Sequence, residues 1–254
     1  MILAIDIGNT NIVLGCIDEE KVCFIERISS DKTKMELEYA VDIKMVLDIH
    51  GIRRENVEGA IISSVVPQLT KILKAASEKI IKKEPIIVGP GVKNGMNILI
   101  ENPGQMGSDL VADAVAAIAG YSVPLVIFDL GTATTVCVVD EKKNYIGGMI
   151  YPGVNTSLDA LAKSASQLND ISIEEPKKLI GRSTTECMKS GLIYSNAAAI
   201  DGIIERIEEE MGQSVTAVAT GGLARVIIPY CRKKVILDEN LLMKGLWIIY
   251  KKNK

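Results

Sequence analysis

The stretch that decides the fold is Leu3-Ala4-Ile5-Asp6-Ile7-Gly8-Asn9-Thr10-Asn11-Ile12-Val13-Leu14-Gly15. An apolar run leads into an aspartate, a short polar turn with a glycine follows, and a second apolar run begins. This order predicts two β-strands joined by a tight hairpin, with Asp6 at the end of the first strand. The turn would present backbone N–H groups beside a carboxylate, and Gly8 would let a ligand approach the backbone. Such a surface suits a nucleotide phosphate and a cation held through water.

The same pattern recurs in the second half of the chain. Residues 125–136 read Leu-Val-Ile-Phe-Asp-Leu-Gly-Thr-Ala-Thr-Thr-Val, so Asp129 aligns with Asp6 and Gly131 with Gly8. One copy alone fits ordinary turn chemistry. Two copies at equivalent places in two halves indicate a duplicated architecture with a functional turn in each half.

Composition limits the classes of function. The chain has 254 residues, of which 48% are hydrophobic, so it can form two cores. Its net charge of −3 argues against general nucleic-acid binding. The apolar runs have the length of strands rather than of membrane spans, and the N-terminus enters a strand at once, so neither a membrane segment nor a signal peptide is expected.

Cysteine and histidine usage narrows the chemistry further. The five cysteines lack C-x-x-C spacing, and most lie in apolar runs, which predicts reduced core residues of a cytoplasmic protein. The only histidine, His50, lies at the end of a predicted helix. Histidine triads and histidine-ligated metals are therefore excluded, and the chemistry must use carboxylates, hydroxyls, backbone groups and bound cations.

Each half of the chain reads β-β-β-α-β-α-β-α, which predicts an α/β protein whose two mixed sheets carry helices on both faces. We expect two domains, 1–122 and 123–254, with a junction at Tyr121–Pro124 and a cleft between them. Helices are predicted over 35–50, 67–82, 109–120, 154–162, 184–211 and 239–251. The strands predicted beyond the two hairpins are 21–28, 59–66, 85–89, 145–150, 215–220 and 234–237, and the segment 91–105 is predicted as a loop.

This organisation resembles the superfamily of acetate kinase, sugar kinases, Hsp70 and actin, whose halves are duplicated ribonuclease-H-like domains with five-stranded sheets. Within it, six motifs fall in the order found in type III pantothenate kinases, over essentially the whole chain. They are Asp6-x-Gly-Asn-Thr, Gly107-Ser-Asp, Asp129-Leu-Gly-Thr-Ala-Thr-Thr, Gly147-Gly-x-Ile-x-Pro-Gly153, Gly181-Arg-Ser-Thr184 and Thr220-Gly-Gly-Leu-Ala. The resemblance implies ATP-dependent phosphorylation of pantothenate to 4′-phosphopantothenate, the first step of coenzyme A biosynthesis.

The resemblance also implies a nucleotide site. The first turn would bind the ATP phosphates through Asp6, Ile7, Gly8, Asn9, Thr10, Asn11, Ile12 and Val13. Thr132 would contact the nucleotide, Asp6 would hold Mg²⁺ through water, and Asp129 would bind a monovalent cation, K⁺ or NH₄⁺. Because two carboxylates beside a triphosphate repel one another, bound cations are needed here. Gly221 and Gly222 follow a buried strand, where they either support adenine on the backbone or make a tight turn into a helix.

The acceptor site is implied around Asp109. Without a histidine the general base should be a carboxylate, and the family's catalytic aspartate matches Asp109, with Gly107, Ser108 and Leu110 beside it as substrate-binding residues. A simpler alternative makes Ser108 or Asp109 a helix N-cap. Thr184 matches a position that contacts pantothenate, in some members across a dimer interface, although it or Ser183 can also cap the following helix.

Two residues depart from the family pattern. Leu110 stands where the family usually has arginine, and Ile100 stands where an aromatic residue often precedes the Glu101-Asn-Pro loop. Without that arginine, an acidic substrate must be neutralised elsewhere, with Arg182 or Lys163 as candidates. Two alternatives therefore stay open: a divergent paralogue acting on another small hydroxy acid, and a nucleotide-binding regulatory protein on the same fold. A homodimer is expected from the family and from apolar residues spread around the helix between Met188 and Ile207.

Overall fold

A computed structural model describes residues 1–19, 21–164 and 171–254. Two β-sheets organise these residues, and each sheet begins with one of the two repeated hairpins. The first sheet has the strand order β3-β2-β1-β4-β5, in which β1 pairs antiparallel with β2 and parallel with β4. Its strands are β1 (Ile2–Ile7), β2 (Asn11–Asp18), β3 (Lys21–Ser29), β4 (Ala60–Ser64) and β5 (Ile86–Ile87).

Three helices of the first half accompany this sheet: α1 (Glu36–Ile49), α2 (Pro67–Ile81) and α3 (Ser108–Gly120). Pro67 occupies the first turn of α2, where its missing N–H has no intrahelical partner to lose. The core between sheet and helices contains Ile5 and Ile7 of β1, Ile43 of α1 and Leu69 of α2, all of them fully buried. A slip of β1 by one residue would turn its buried side chains toward solvent, so its register is strongly specified. This register fixes the position of Asp6 near the end of the strand.

The second sheet repeats the first and adds one strand. Its order is β11-β10-β7-β8-β9-β6, so β9-β8-β7-β10-β11 reproduces β3-β2-β1-β4-β5 strand for strand. The strands are β6 (Asn97–Ile98), β7 (Leu125–Leu130), β8 (Ala133–Val139), β9 (Asn144–Pro152), β10 (Thr216–Thr220) and β11 (Val235–Leu237), and the helices are α4 (Val154–Ser164), α5 (Thr184–Met211), α6 (Ala224–Ile227) and α7 (Leu241–Lys252). The predicted duplicated α/β architecture is thereby confirmed.

Several element bounds differ from the predicted ones. The strand predicted over 85–89 is reduced to β5, and the loop predicted over 91–105 contains β6, which pairs in parallel with β9 at Asn144 and Tyr145. The short helix α6 follows β10 after the glycine pair. Two-residue strands carry too little periodicity for a sequence pattern to reveal them.

The chain divides into two compact units. Unit 1 contains 1–96, 101–119 and 240–254, and unit 2 contains 97–100 and 120–239. These units differ from the predicted linear domains in two segments, because β6 pairs within the second sheet and α7 packs on the first. Gly59 has no side chain and so leaves room for the Tyr250 hydroxyl of α7, where a Cβ would collide with it.

Helix α5 uses its apolar residues within its own unit. Met188, Ile193, Ala197, Ile200 and Ile204 are buried in the core of the second sheet. The predicted homodimer therefore gains no support from these side chains, since they already have partners in the same chain.

None of the described helices is both long enough and apolar enough to cross a bilayer. No disulfide joins the five cysteines, all of which lie within the described residues.

Candidate functional site

The first hairpin turn is held by backbone bonds and exposed to solvent. The Gly8 N–H donates to the Asn11 carbonyl at 3.0 Å, which closes the turn. From the end of β3, the Ser30 N–H donates to the Thr10 carbonyl at 3.0 Å, and the Ser30 hydroxyl donates to the Gly8 carbonyl at 2.6 Å. A Cβ at Gly8 would lie 3.1 Å from the Asn11 carbonyl oxygen, so the turn favours glycine there.

The eight residues predicted to bind ATP differ in exposure. Asn9, Thr10 and Asn11 are exposed at the turn, and Asp6, Gly8 and Val13 are half-buried. Ile7 and Ile12 are fully buried opposite one another in the β1–β2 ladder. The two isoleucine side chains therefore anchor the hairpin in the core, and a ligand would meet only their backbone.

The second hairpin turn is one residue shorter. The Gly131 N–H donates to the Ala133 carbonyl at 3.1 Å, with only Thr132 between them. The first turn of α4 lies against it, because the Thr156 hydroxyl donates to the Thr132 carbonyl at 2.6 Å. Gly153, just before α4, allows this approach, since a Cβ there would collide with the Gly131 and Thr132 carbonyl oxygens.

The glycine pair after β10 lies beside Asp129. Thr220 pairs with Asp129 in the β10–β7 ladder, and Gly221 follows with φ of +94°, a left-handed conformation that favours glycine. A Cβ at Gly221 would collide with Asp129 Oδ1 and lie 2.6 Å from the Leu130 nitrogen. Gly221 is thus required by the tight turn, whereas Gly222 is exposed and a Cβ there would meet no atom within 4 Å.

Asp109 lies in the first turn of α3 and is half-buried. Desolvation raises the pKa of its carboxyl, while backbone hydrogen bonds from Leu110 and from Asp109 itself act in the opposite direction. The Leu110 N–H donates to Asp109 Oδ1 at 2.9 Å. A buried carboxylate with a raised pKa is a stronger base than an exposed one, and perturbed groups of this kind cluster at functional sites.

Gly107 makes room for this carboxylate. A Cβ at Gly107 would collide with Asp109 Oδ1 and would lie 3.6 Å from the Leu110 side chain. Leu110 itself is half-buried and offers no charge beside Asp109. The closeness of the Asp109 carboxylate therefore explains why position 107 is a glycine.

Ser108 does not cap α3 through its side chain as the simpler alternative predicted. Its hydroxyl accepts the Ser64 N–H at 2.7 Å and lies 3.0 Å from the Ser63 hydroxyl. Since Ser63 pairs with Asp6 in the β4–β1 ladder, unit 1 brings the ends of β1 and β4 and the start of α3 together. Sequence reasoning missed Ser63 and Ser64, although their place at the end of a buried strand could have drawn attention to them.

Thr184 is exposed on the first turn of α5. The Ser183 hydroxyl caps this helix by accepting the Glu186 N–H at 3.3 Å, so the capping alternative applies to Ser183. Thr184, Asp129, Thr132, Gly221 and Gly222 all belong to unit 2, whereas Asp6 and Asp109 belong to unit 1.

The donor groups suit cations shared with a substrate. Across the described residues, no three His, Cys, Asp or Glu side chains come together as a metal cage. Asp6 and Asp129 instead place one carboxylate beside each turn. A magnesium ion bound through one or two carboxylates, waters and substrate phosphates fits this arrangement.

The chain is similar to known proteins over its whole length. A model of the type III pantothenate kinase family matches residues 2–206. A type III pantothenate kinase from an Exiguobacterium species is 44% identical over 100% of both chains. One from Bacillus cytotoxicus is 42% identical over 100% of this chain and 97% of its own.

A solved structure shares the fold. The crystal structure of a putative 2-dehydro-3-deoxygalactonokinase from Sinorhizobium meliloti covers 99% of this chain and 96% of its own, with a TM-score of 0.59 and 11% identity. The two-sheet architecture is thus a known fold, shared over nearly the whole chain. Full-length identity above two-fifths, with the family motifs at both turns, places the chain in the type III pantothenate kinase family, whose members transfer phosphate from ATP to pantothenate in coenzyme A biosynthesis.

Proposed function

We propose that Asp109 is the general base of pantothenate phosphorylation. The observation that carries the proposal is a half-buried carboxylate, with its pKa raised by desolvation, at the start of α3. As the pantothenate hydroxyl oxygen bonds to the γ-phosphorus of ATP, its proton passes to Asp109. The bond from the γ-phosphorus to the bridging oxygen breaks, and ADP and 4′-phosphopantothenate are formed. Such transfer depends mainly on positioning and charge stabilisation.

The exposed turn of the first hairpin is the proposed phosphate-binding surface. Asn9, Thr10 and Asn11 present amide and hydroxyl groups there, and the bond from Ser30 to Gly8 holds the backbone in place. Asp6 would hold Mg²⁺ through water, and Asp129 would hold K⁺ or NH₄⁺. These ions would offset the negative charge of the triphosphate.

The second hairpin and the glycine pair are the proposed nucleoside contacts. Thr132 lies at the tip of a turn fixed by Thr156 and Gly153. The open face of Gly222 supports adenine lying on the backbone. Gly221 would contribute indirectly, by holding this turn against Asp129.

Residues 107–110 and Thr184 are the proposed pantothenate contacts, within a homodimer. Leu179 and Ile180 precede Thr184 and are 61% and 79% exposed, which supports a second chain covering this segment. Static light scattering should give the mass of a dimer at micromolar concentration, and a monomer would contradict the proposal. Five cysteines that form no disulfide and a need for ATP support a cytoplasmic location.

The base is tested by Asp109→Asn in a coupled ADP-release assay with pantothenate. Asparagine keeps the size of the side chain and cannot take the proton, so turnover should fall at least about 10²-fold while ATP still binds by calorimetry. Asp48→Asn, which neutralises an exposed carboxylate on α1, is the matched control. Near-normal turnover of Asp109→Asn would remove Asp109 from the role of base.

A further inference from the structure

Residues at the end of β4 occupy the full hydrogen-bonding capacity of the Ser108 hydroxyl. Ser108 is the first residue of α3 and only 7% exposed. Its oxygen accepts the Ser64 N–H at 2.7 Å, lies 3.1 Å from the Ser64 carbonyl as donor, and lies 3.0 Å from the Ser63 hydroxyl. One donated and two accepted bonds complete the capacity of a serine hydroxyl. The hydroxyl has no capacity left for a substrate, so pantothenate would contact Ser108 only through its backbone.

These bonds take the place of the strand-to-strand hydrogen bonds that the first sheet lacks beside Ser64. The Val65 N–H donates to the Ile7 carbonyl of β1, so the backbone groups of Ser64 point away from β1, toward the side of β5. There β5 ends at Ile87, and the last bond on that side is from the Val88 N–H to the Ile62 carbonyl at 2.8 Å. The Ser108 hydroxyl therefore pairs both backbone groups of Ser64 where no strand continues.

We propose that Ser108 is a positioning residue for the kinase reaction, which ties the first turn of α3 to β4 and so fixes where the Asp109 carboxylate lies. The inference rests on the proposed role of Asp109 as base. The first turn of a helix lacks intrahelical partners for its N–H groups and frays easily. Ser63 and Ser64 belong to a strand that pairs with β1 along its length, so they give this turn a rigid support.

Such a tether matters because proton transfer is sensitive to distance. A general base must be within hydrogen-bond reach of the hydroxyl it deprotonates. A misplacement of about 1 Å costs on the order of 10²-fold in rate. The hairpin turn proposed to bind ATP is held by bonds from Gly8 and Ser30, so we expect the two steps to be separable.

The test compares Ser108→Ala with Ser77→Ala. Ser77 is a fully buried serine of α2 in the same unit, and its hydroxyl donates to the Lys74 carbonyl at 2.9 Å. Both variants lose one buried hydroxyl, so both should lower the melting temperature. Only Ser108→Ala should lower kcat, by about tenfold or more, with the KM for ATP within about twofold of wild type.

Two results would overturn the proposal. One is a kcat of Ser108→Ala within twofold of that of Ser77→Ala. The other is a KM for ATP that rises as much as kcat falls, which would indicate general loosening of the unit. Asp109→Asn separates the positioning role of Ser108 from the proposed role of Asp109 as general base. An inactive Asp109→Asn with a fully active Ser108→Ala would refute only the positioning role.

Discussion

Gly107→Ala should slow phosphoryl transfer without unfolding the protein. The added methyl group would collide with Asp109 Oδ1, while the next atoms, Asp109 Cγ and Leu110 Cγ, lie 3.5 and 3.6 Å away. Relief therefore comes from rotation of the carboxylate, which gives up the 2.9 Å bond from the Leu110 N–H. A shift of about 1 Å costs about 10²-fold in kcat, equivalent to about 2.7 kcal/mol of barrier. The melting temperature should change little, because the clash involves a movable side chain rather than backbone.

The assay is steady-state ADP release, with pantothenate and ATP varied in turn. Gly104→Ala is the matched control, since Gly104 is exposed in the same segment and a Cβ there meets no atom within 4 Å. The expected result is a loss of kcat in Gly107→Ala alone, with the KM for ATP unchanged. If Gly107→Ala keeps the kcat of Gly104→Ala, the carboxylate tolerates displacement and the reasoning about its fixed position is wrong.

Four further predictions concern charge. Leu110→Arg should lower the KM for pantothenate about tenfold in steady-state kinetics, because a guanidinium beside Asp109 can pair with an acidic substrate; no gain would mean that the substrate carboxylate is neutralised elsewhere. Burial raises the pKa of Asp109, so the acid limb of kcat/KM should lie above the ordinary value of 3.8. The stability that this carboxyl contributes is present at low pH and is lost as pH rises through its folded pKa, so Asp109→Asn should melt higher than wild type at pH 7, and the gain should vanish near pH 3. Turnover should require Mg²⁺ together with K⁺ or NH₄⁺, and full activity in a buffer with Na⁺ as its only monovalent cation would remove Asp129 from the account.

The duplicated fold could be predicted because its signals are local. Asp6 and Asp129 each follow a short buried strand and precede a glycine turn, and the two copies match. The helices were predictable from apolar periodicity and from residues such as Pro67 and Gly51 at their ends. The start of α3 near Asp109 could be predicted in the same way, since a helix start after a glycine is visible in the sequence.

The long-range partners could not be predicted. Ser108 bonds with Ser64 across 44 residues, and a serine at a helix start reads equally well as a cap. The apolar residues of α5 read as a surface for a second chain, whereas Ile193 and Ile200 complete the core of their own sheet. Local pattern shows that a face must be covered, but it does not show which segment covers it.

The return of α7 to unit 1 has a consequence for how the protein is made. Leu241, Leu246 and Ile249 are fully buried, and Gly245 packs so closely on Ala112 of α3 that a Cβ would collide with its carbonyl oxygen. During synthesis, the first sheet and α3 leave the ribosome long before the helix that covers them. Unit 1 therefore begins to fold first and is completed last, while unit 2 can mature in between. A truncated chain that ends before residue 240 would lack α7. The apolar surface that α7 covers would then be exposed on unit 1, the unit that begins at the N-terminus and carries Asp6 and Asp109.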